Sequence, residues 1–425
     1  MINKKRINDI KDRFLELWEI KTFKYALLIH VLFFMISIIL FLLFFQNQND
    51  FIIFYKAGEL FKSDITNLYN EAQYIINGQP WNFRYFPLSA LLFIPFTFMD
   101  ITTAFIVFAL FNLILNVLIC LVLYKIINLV RNDSHEKTDN RIITYISIFL
   151  MNAPHIFNYV LGQINLYITF LILISLYFFL KYKEMKAQLF GSVILGISVL
   201  IKPIAICIIP FLLVLNLDFE SKKLTMDLKR SGIRILGTIL PLSLNLIVFF
   251  AFPVLWEGFL NANFSGNTPI IINFSFSITK LITKFYLFNS IPFDQLFIFI
   301  IVFCLVGGWG FIIYIIGRFT GESMVYGYLI GILIMLLVYF DSWNHHLLIL
   351  IPILIIIMFQ LEKDSETTRK YIKPNLLFLS FLDLPFMGLW YLTRDFFPFN
   401  FALTISLVLI LYGITKHSFT FKECD

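Results

Sequence analysis

Charge is scarce in this chain. Only 14% of its 425 residues are Asp, Glu, Lys or Arg, where a soluble domain carries about a quarter. No stretch is long and polar enough to form a separate soluble domain, so a single membrane domain with embedded loops is expected. Cysteine is scarce too. Cys120, Cys207 and Cys304 lie in apolar runs and Cys424 lies near the end. The lack of any CxxC pair excludes a disulfide framework, a structural zinc site and a redox couple of that kind. There is no P-loop and no GxGxxG leading off a strand, which excludes the usual phosphate-cradling nucleotide sites. There is no GxSxG elbow and no cysteine near a histidine, so no nucleophile triad is expected. HExxH is missing, and no internal repeat supports an inverted-repeat transporter.

What is present is apolar. Hydrophobic residues make up 59% of the chain, 52 of them Phe, and runs of membrane-spanning length recur from end to end. The expected fold class is an all-α polytopic membrane protein of about 12 transmembrane helices. Candidate spans are 24–46, 102–126, 141–152, 163–181, 187–201, 203–217, 234–253, 296–317, 323–340, 346–360, 373–391 and 399–415. The segment 86–98 is apolar but only half a span long and reads as re-entrant or interfacial. Residues 1–23 read as an amphipathic leader on the inner membrane surface, with Ile7, Ile10, Phe14 and Leu17 at helical spacing. Residues 24–416 form the membrane domain and 417–425 a tail.

Under this assignment all but seven of the 33 Lys and Arg fall on one side; the exceptions are Lys56, Lys62, Arg84, Lys202, Lys280, Lys284 and Arg394. The positive-inside rule makes the rich side cytoplasmic, with both termini there. The formal charge of +6 is therefore a topology signal, and no basic cluster with interleaved aromatics argues for nucleic acid. Two long loops, 46–86 and 254–295, and the short connections 152–163, 341–346 and 392–398 then face outward. The first loop suits interfacial helices, since apolar and polar residues alternate at helical spacing from Asp50 to Glu59.

Polar residues gather at that outer level. Asp50 ends the first span, and an acid there needs a partner or a task. Arg84 sits in Trp81-Asn82-Phe83-Arg84-Tyr85-Phe86-Pro87, aromatics that also suit an ordinary headgroup belt. Gln163 and Asn165 follow Gly162; such amides also bond neighbouring helices. Lys202 interrupts an apolar run, where a lysine costs roughly 2.5–3.5 kcal/mol to insert, and Pro203 breaks the helix beside it. Snorkelling is the alternative for this lysine. Asp341-Ser342-Trp343-Asn344-His345-His346 joins two short apolar runs. Adjacent histidines rarely address one ion from a helix, so phosphate or substrate contact is expected rather than metal, with a plain structural turn as the alternative. One acid, several amides and several cations on one face form an anion-handling site.

The ordered set Asp50, Phe54-Tyr55, Ala57, Leu68-Tyr69, Phe83, Tyr85, Pro87, Pro95, then Gly162-Gln163-Ile164-Asn165, Lys202-Pro203 and Ser342-Trp343 with His345-His346-Leu347 and Pro352 resembles glycosyltransferase family 87, over roughly residues 25–360. The resemblance implies a GT-C-like fold with its site on the extracytoplasmic face. It implies a polyprenyl-phosphate-linked sugar donor, most often mannose and in some relatives arabinofuranose, and a glycolipid or cell-envelope glycan as acceptor; with this many cations in the site a divalent metal is optional, and no metal or cofactor is expected. It makes Asp50 the base. Lys202, Arg84, His345 and His346 are then candidates for the donor phosphate, and Tyr55, Glu59, Gln163, Asn165 and Trp343 for substrate, Glu59 being a possible substitute for Asp50. A transporter or flippase for a lipid-linked sugar, or a non-catalytic assembly subunit, would carry the same anion-handling residues without chemistry.

Overall fold

The computed structural model describes residues 15–46, 49–76, 78–131, 138–218, 223–264, 275–317, 319, 321–382 and 401–420. The leader positions Ile7, Ile10 and Phe14, the connection 392–398 and the end of the tail lie outside these. Five helices among the described residues are long and apolar enough to cross a membrane: Lys21–Phe45, Ile101–Val130, Leu228–Ala251, Gln295–Ile316 and Ala402–Phe419. The chain is an integral membrane protein. Seven further apolar helices have 10–17 residues, so helices of full crossing length are fewer than the twelve candidate spans.

Long and short helices occupy different places. Helix α1 (Lys21–Leu40, continued by a wider turn at Phe41–Phe45) leaves Leu28, Val31, Leu32, Met35 and Ile39 exposed. In α3 (Ile101–Val130), Leu110, Ile114, Val117 and Leu121 form an exposed stripe, while Phe105, Phe108, Asn112, Asn116, Ile119 and Leu123 form the buried one. Both stripes keep the helical period. An apolar residue left open this way belongs in hydrocarbon. By contrast, in α12 (Ser323–Val338) every residue from Met324 on is buried, and in α13 (Leu347–Gln360) every residue is. At about 1.5 Å per residue, α13 spans only about 21 Å, short of the roughly 30 Å hydrocarbon layer. Burial inside the protein removes the need to match that thickness.

The remaining elements connect these layers. Helix α2 (Phe51–Ser63) follows α1 and packs on the 3₁₀ segment Pro87–Phe98. Between them lie a two-residue hairpin, β1 (Ile75–Ile76) with β2 (Gln79–Pro80). Helices α4 (Thr138–Met151), α5 (Pro154–Val160), α6 (Asn165–Lys181) and α7 (Met185–Ile201) come next. The expected span 203–217 is instead a 3₁₀ segment, Pro203–Leu212, followed by strand β3 (Leu215–Asp218), which pairs antiparallel with β4 (Lys223–Met226). Pro203 and Pro210 remove amide donors and deny the segment a regular α-helix. The long loop expected at 254–295 contains α9 (Pro253–Phe264) and α10 (Ile278–Phe288), after α8 (Leu228–Ala251) and before α11 (Gln295–Ile316). Near the end come α14 (Lys373–Leu377) and α15 (Ala402–Thr420).

Helices α7 and α8 meet at small residues, which let backbones approach where both sides are apolar. A Cβ at Gly196 would lie 2.3 Å from the Thr238 carbonyl and 2.9 Å from Pro241 Cδ. Gly196→Leu is therefore expected to destabilise by about 1–3 kcal/mol, read as a lowered thermal midpoint in detergent. Gly308→Ala, on an open helix surface with nothing within 4 Å, serves as the neutral comparison. An unchanged midpoint for Gly196→Leu would remove the close approach of α7 and α8.

Candidate active site

The site is assembled where four helix ends meet. At the start of α2 the Phe51 amide donates to the Leu161 carbonyl at 3.2 Å, which brings the turn after α5 against the residue before α2. That turn depends on Gly162. Its φ is +65°, and a Cβ there would lie 2.5 Å from Phe51 Cβ. Only glycine accepts both the left-handed backbone and the contact. Gln163, next in the chain, is tied back by its amide to the Asn158 carbonyl at 2.9 Å.

The result is a continuous polar chain. Gln163 Nε2 donates to the Asp50 carboxylate, and Gln163 Oε1 accepts from Lys202 Nζ at 3.5 Å. Lys202 Nζ also donates to Asn165 Oδ1 at 2.9 Å, and Asn165 Nδ2 donates to Asn158 Oδ1 at 3.3 Å. Lys202 is placed by the helix break: it has extended backbone between Ile201 and Pro203. Its ammonium lies 5.8 Å from the centre of the Tyr85 ring. Burial pushes the Asp50 carboxyl up to about 6, opposed by the Gln163 hydrogen bond and by the charges of Lys202 and Arg84.

Arg84 reaches this centre while forming an ion pair with Asp341. The two histidines follow in a 3₁₀ turn, Asn344–His346, both almost wholly buried, with ring centres 4.5 Å apart. His346 Nδ1 accepts the Trp343 amide proton at 3.2 Å. In the neutral ring the proton then sits on Nε2, which makes His346 a donor. Trp343 packs edge-on to His345 at 5.6 Å. Its buried indole N–H finds no partner among the described residues, and neither does Asn158 Nδ2. Both donors are open to an acceptor from a ligand.

Asp50, Gln163, Asn165 and Lys202 thus come together, with Arg84, His345, His346 and Trp343 beside them. Tyr55 and Glu59 are engaged elsewhere. The Tyr55 hydroxyl donates to the Met99 carbonyl at 2.9 Å, and Glu59 pairs with Lys56 at 3.0 Å where both are partly exposed. Two further residues stand by Arg84: Asp341, already visible in the polar run before the histidines, and Lys280, on which the charges of Asp341 and Arg84 act. Lys280 arrives because Phe276 N donates to the Ser342 carbonyl at 3.0 Å and Ser342 N donates to Ser275 Oγ at 3.1 Å. No spacing in the sequence encodes that pairing.

A second buried polar group supports α5. His30 of α1 bonds to the Leu150 carbonyl at 2.9 Å and to the Tyr159 hydroxyl at 3.0 Å. Asn116 of α3 bonds to Tyr159 at 2.8 Å and to His155 at 2.9 Å. The turn at Gly162 therefore leaves a helix that is anchored on two sides. Gly162→Ala is expected to lose about 2–4 kcal/mol, from left-handed strain and overlap together. Gly78→Ala, also at positive φ (+74°) but with nothing within 4 Å, is expected to lose only about 1–2 kcal/mol. Equal losses in denaturation or thermal scans would show that contact with Phe51 does not hold the turn.

Comparison with known proteins adds one finding. The model of glycosyltransferase family 87 matches residues 83–339, more than half of the chain and narrower than the sequence resemblance. Arg84, Gln163, Asn165, Lys202 and Lys280 lie inside the match; Asp50 and the two histidines lie outside it. No curated protein and no solved structure matches the chain. The chain belongs to glycosyltransferase family 87.

Proposed function

We propose that this glycosyltransferase moves a hexose, mannose in the first instance, from a polyprenyl-phosphate carrier to a glycolipid or cell-envelope glycan, at the extracytoplasmic face of a GT-C-like fold. The observation that carries the reading is the chain from the Asp50 carboxylate through Gln163 to the buried Lys202 ammonium. It sets a base and a cation at a fixed separation, as transfer from a lipid phosphate requires.

The acceptor hydroxyl attacks the anomeric carbon and its proton passes to Asp50. The bond from that carbon to the phosphate oxygen breaks, and its electron pair leaves with the phosphate. Direct displacement inverts the anomeric centre. The departing phosphate monoester carries close to two negative charges, and preorganised donors and cations are the largest source of stabilisation for such a group. Lys202, Arg84 and the His346 Nε2–H supply them, with His345 alongside. No cofactor takes part in this scheme. The free indole N–H of Trp343 and the amides of Asn158 and Asn165 orient sugar hydroxyls. Arabinofuranose is the other sugar to try as donor.

The test is sugar transfer by purified protein in detergent, with polyprenyl-phosphate mannose as donor, native membrane lipid as acceptor and EDTA present. Asp50→Asn is expected to fold and to lose at least about 10²-fold in rate. The wild-type rate is expected to rise as pH increases through about 6, because the protonated Asp50 carboxyl cannot accept the acceptor's proton. The Asp50→Asn variant should lack that acid limb. Equal rates in both proteins would remove Asp50 as base. No transfer with either sugar would favour a flippase using the same anion-handling residues without chemistry.

A further inference from the structure

Lys280 is 1% exposed, yet no hydrogen bond or ion pair engages its ammonium among the described residues. A buried charge of that kind is expensive unless something compensates it. Its position is not accidental. Ser277 caps α10 by accepting the Lys280 amide at 3.1 Å, and the Thr279 hydroxyl donates to the Val338 carbonyl at 2.6 Å. With the Ser275 and Phe276 bonds to Ser342, these strap the first turn of α10 to the end of α12. The charges nearest Lys280 are Asp341, then Lys284 and Arg84.

Charge balance divides the site in two. On one side Asp50 faces Lys202, one negative group against one positive. On the other, Asp341 is the one acid among the described residues whose charge acts on Lys280, against the cations Lys284 and Arg84. We propose that Lys280 completes the donor-phosphate site from the side of Arg84 remote from Asp50, as a direct ligand of the lipid-linked phosphate. The stereochemistry of the proposed transfer agrees. In an inverting displacement the leaving group departs opposite the attacking oxygen. The base stands beside that oxygen, so the phosphate belongs on the far side of the sugar from Asp50. Lys202 then divides its interaction between the phosphate and the Gln163–Asp50 pair, as Arg84 does between the phosphate and Asp341.

This inference rests on the sugar-transfer reading, and a binding measurement separates the two. Sugar-free polyprenyl phosphate is titrated into the purified full-length protein, comparing wild type with Lys280→Met, Lys280→Gln, Lys280→Arg and Gly308→Ala. Affinity is expected to fall at least ten-fold in Lys280→Met and Lys280→Gln, to stay within about three-fold in Lys280→Arg, which keeps the charge, and to be unchanged in Gly308→Ala, on an open helix surface. Wild-type affinity in either folded neutral variant overturns the assignment. Lys280-dependent binding in a protein that transfers no sugar would leave the phosphate site standing and remove the enzymatic reading. Full transfer with no dependence on Lys280 would do the reverse.

Discussion

An ammonium group buried among apolar helices is tolerated only where oxygen atoms replace its water and an opposite charge lies near. Lys202 meets both conditions, through the side-chain oxygens of Gln163 and Asn165 and through the Asp50 carboxylate one link further on. Each of those groups comes from a different element, so satisfying one lysine fixes the mutual placement of α2, the turn after α5, the start of α6 and the break after α7. Removing any member strands the rest. Loss of the Gln163 amide would leave a carboxylate and an ammonium facing each other without the bridge, and loss of Asp50 would leave Lys202 a buried, unopposed charge. The helix break at Pro203 is the local feature that makes this possible. A continuous helix would have turned Lys202 about its axis and hidden its backbone; extended backbone at this point directs the side chain into the centre instead.

The frame around that centre is inverted relative to a simple bundle of equal spans. The long helices α1, α3, α8 and α11 carry the lipid-facing residues, while α12, buried from Met324 on, and α13, wholly buried, carry the loop with Asp341 and the histidines between them. A loop at the join of two buried helices is held by packing on all sides, which suits groups that must be preorganised. The network of His30, Asn116, His155 and Tyr159 acts at one remove. It has no contact with Asp50, but it clamps α5 between α1 and α3, and α5 delivers Gly162 and Gln163. Buried polar groups that satisfy one another in this way specify a single arrangement where apolar packing alone would permit sliding.

Much of the site was legible because polar side chains are rare enough in this chain to stand out. Asp50, Arg84, Gln163, Asn165, Lys202 and the histidines each interrupt apolar sequence at a helix end. Tyr55 and Glu59 misled for a geometric reason. Five and nine positions after Asp50 along an α-helix place them about 140° and 180° around the axis, on the opposite face. Phe54, about 40° from Asp50, is the residue of α2 that packs on Tyr85, at 5.2 Å between ring centres. The apolar stretch 203–217 misled because hydropathy does not register what Pro203 and Pro210 do to hydrogen bonding. Lys280 was not legible beside Arg84, since the bonds of Ser342 to the Phe276 amide and the Ser275 hydroxyl join segments more than sixty residues apart.

On the proposed sugar-transfer reading, the division of charge also bears on how one small volume can hold both a base and a site for a dianion. Burial raises the affinity of Asp50 for a proton, and the cations beside it lower that affinity. A carboxyl near 6 is ionised at neutral pH yet more basic than an ordinary exposed aspartate, which is the compromise a general base needs. Every additional cation set next to Asp50 would spoil it, pulling the carboxyl back toward its usual value and weakening the base. The leaving phosphate needs those same cations. In the proposed arrangement Arg84, already opposed by Asp341, and Lys280 on its far side keep the added positive charge away from Asp50 and within reach of a phosphate. Distance between the acidic and the cationic ends, rather than the number of charges, is then what lets the two demands coexist.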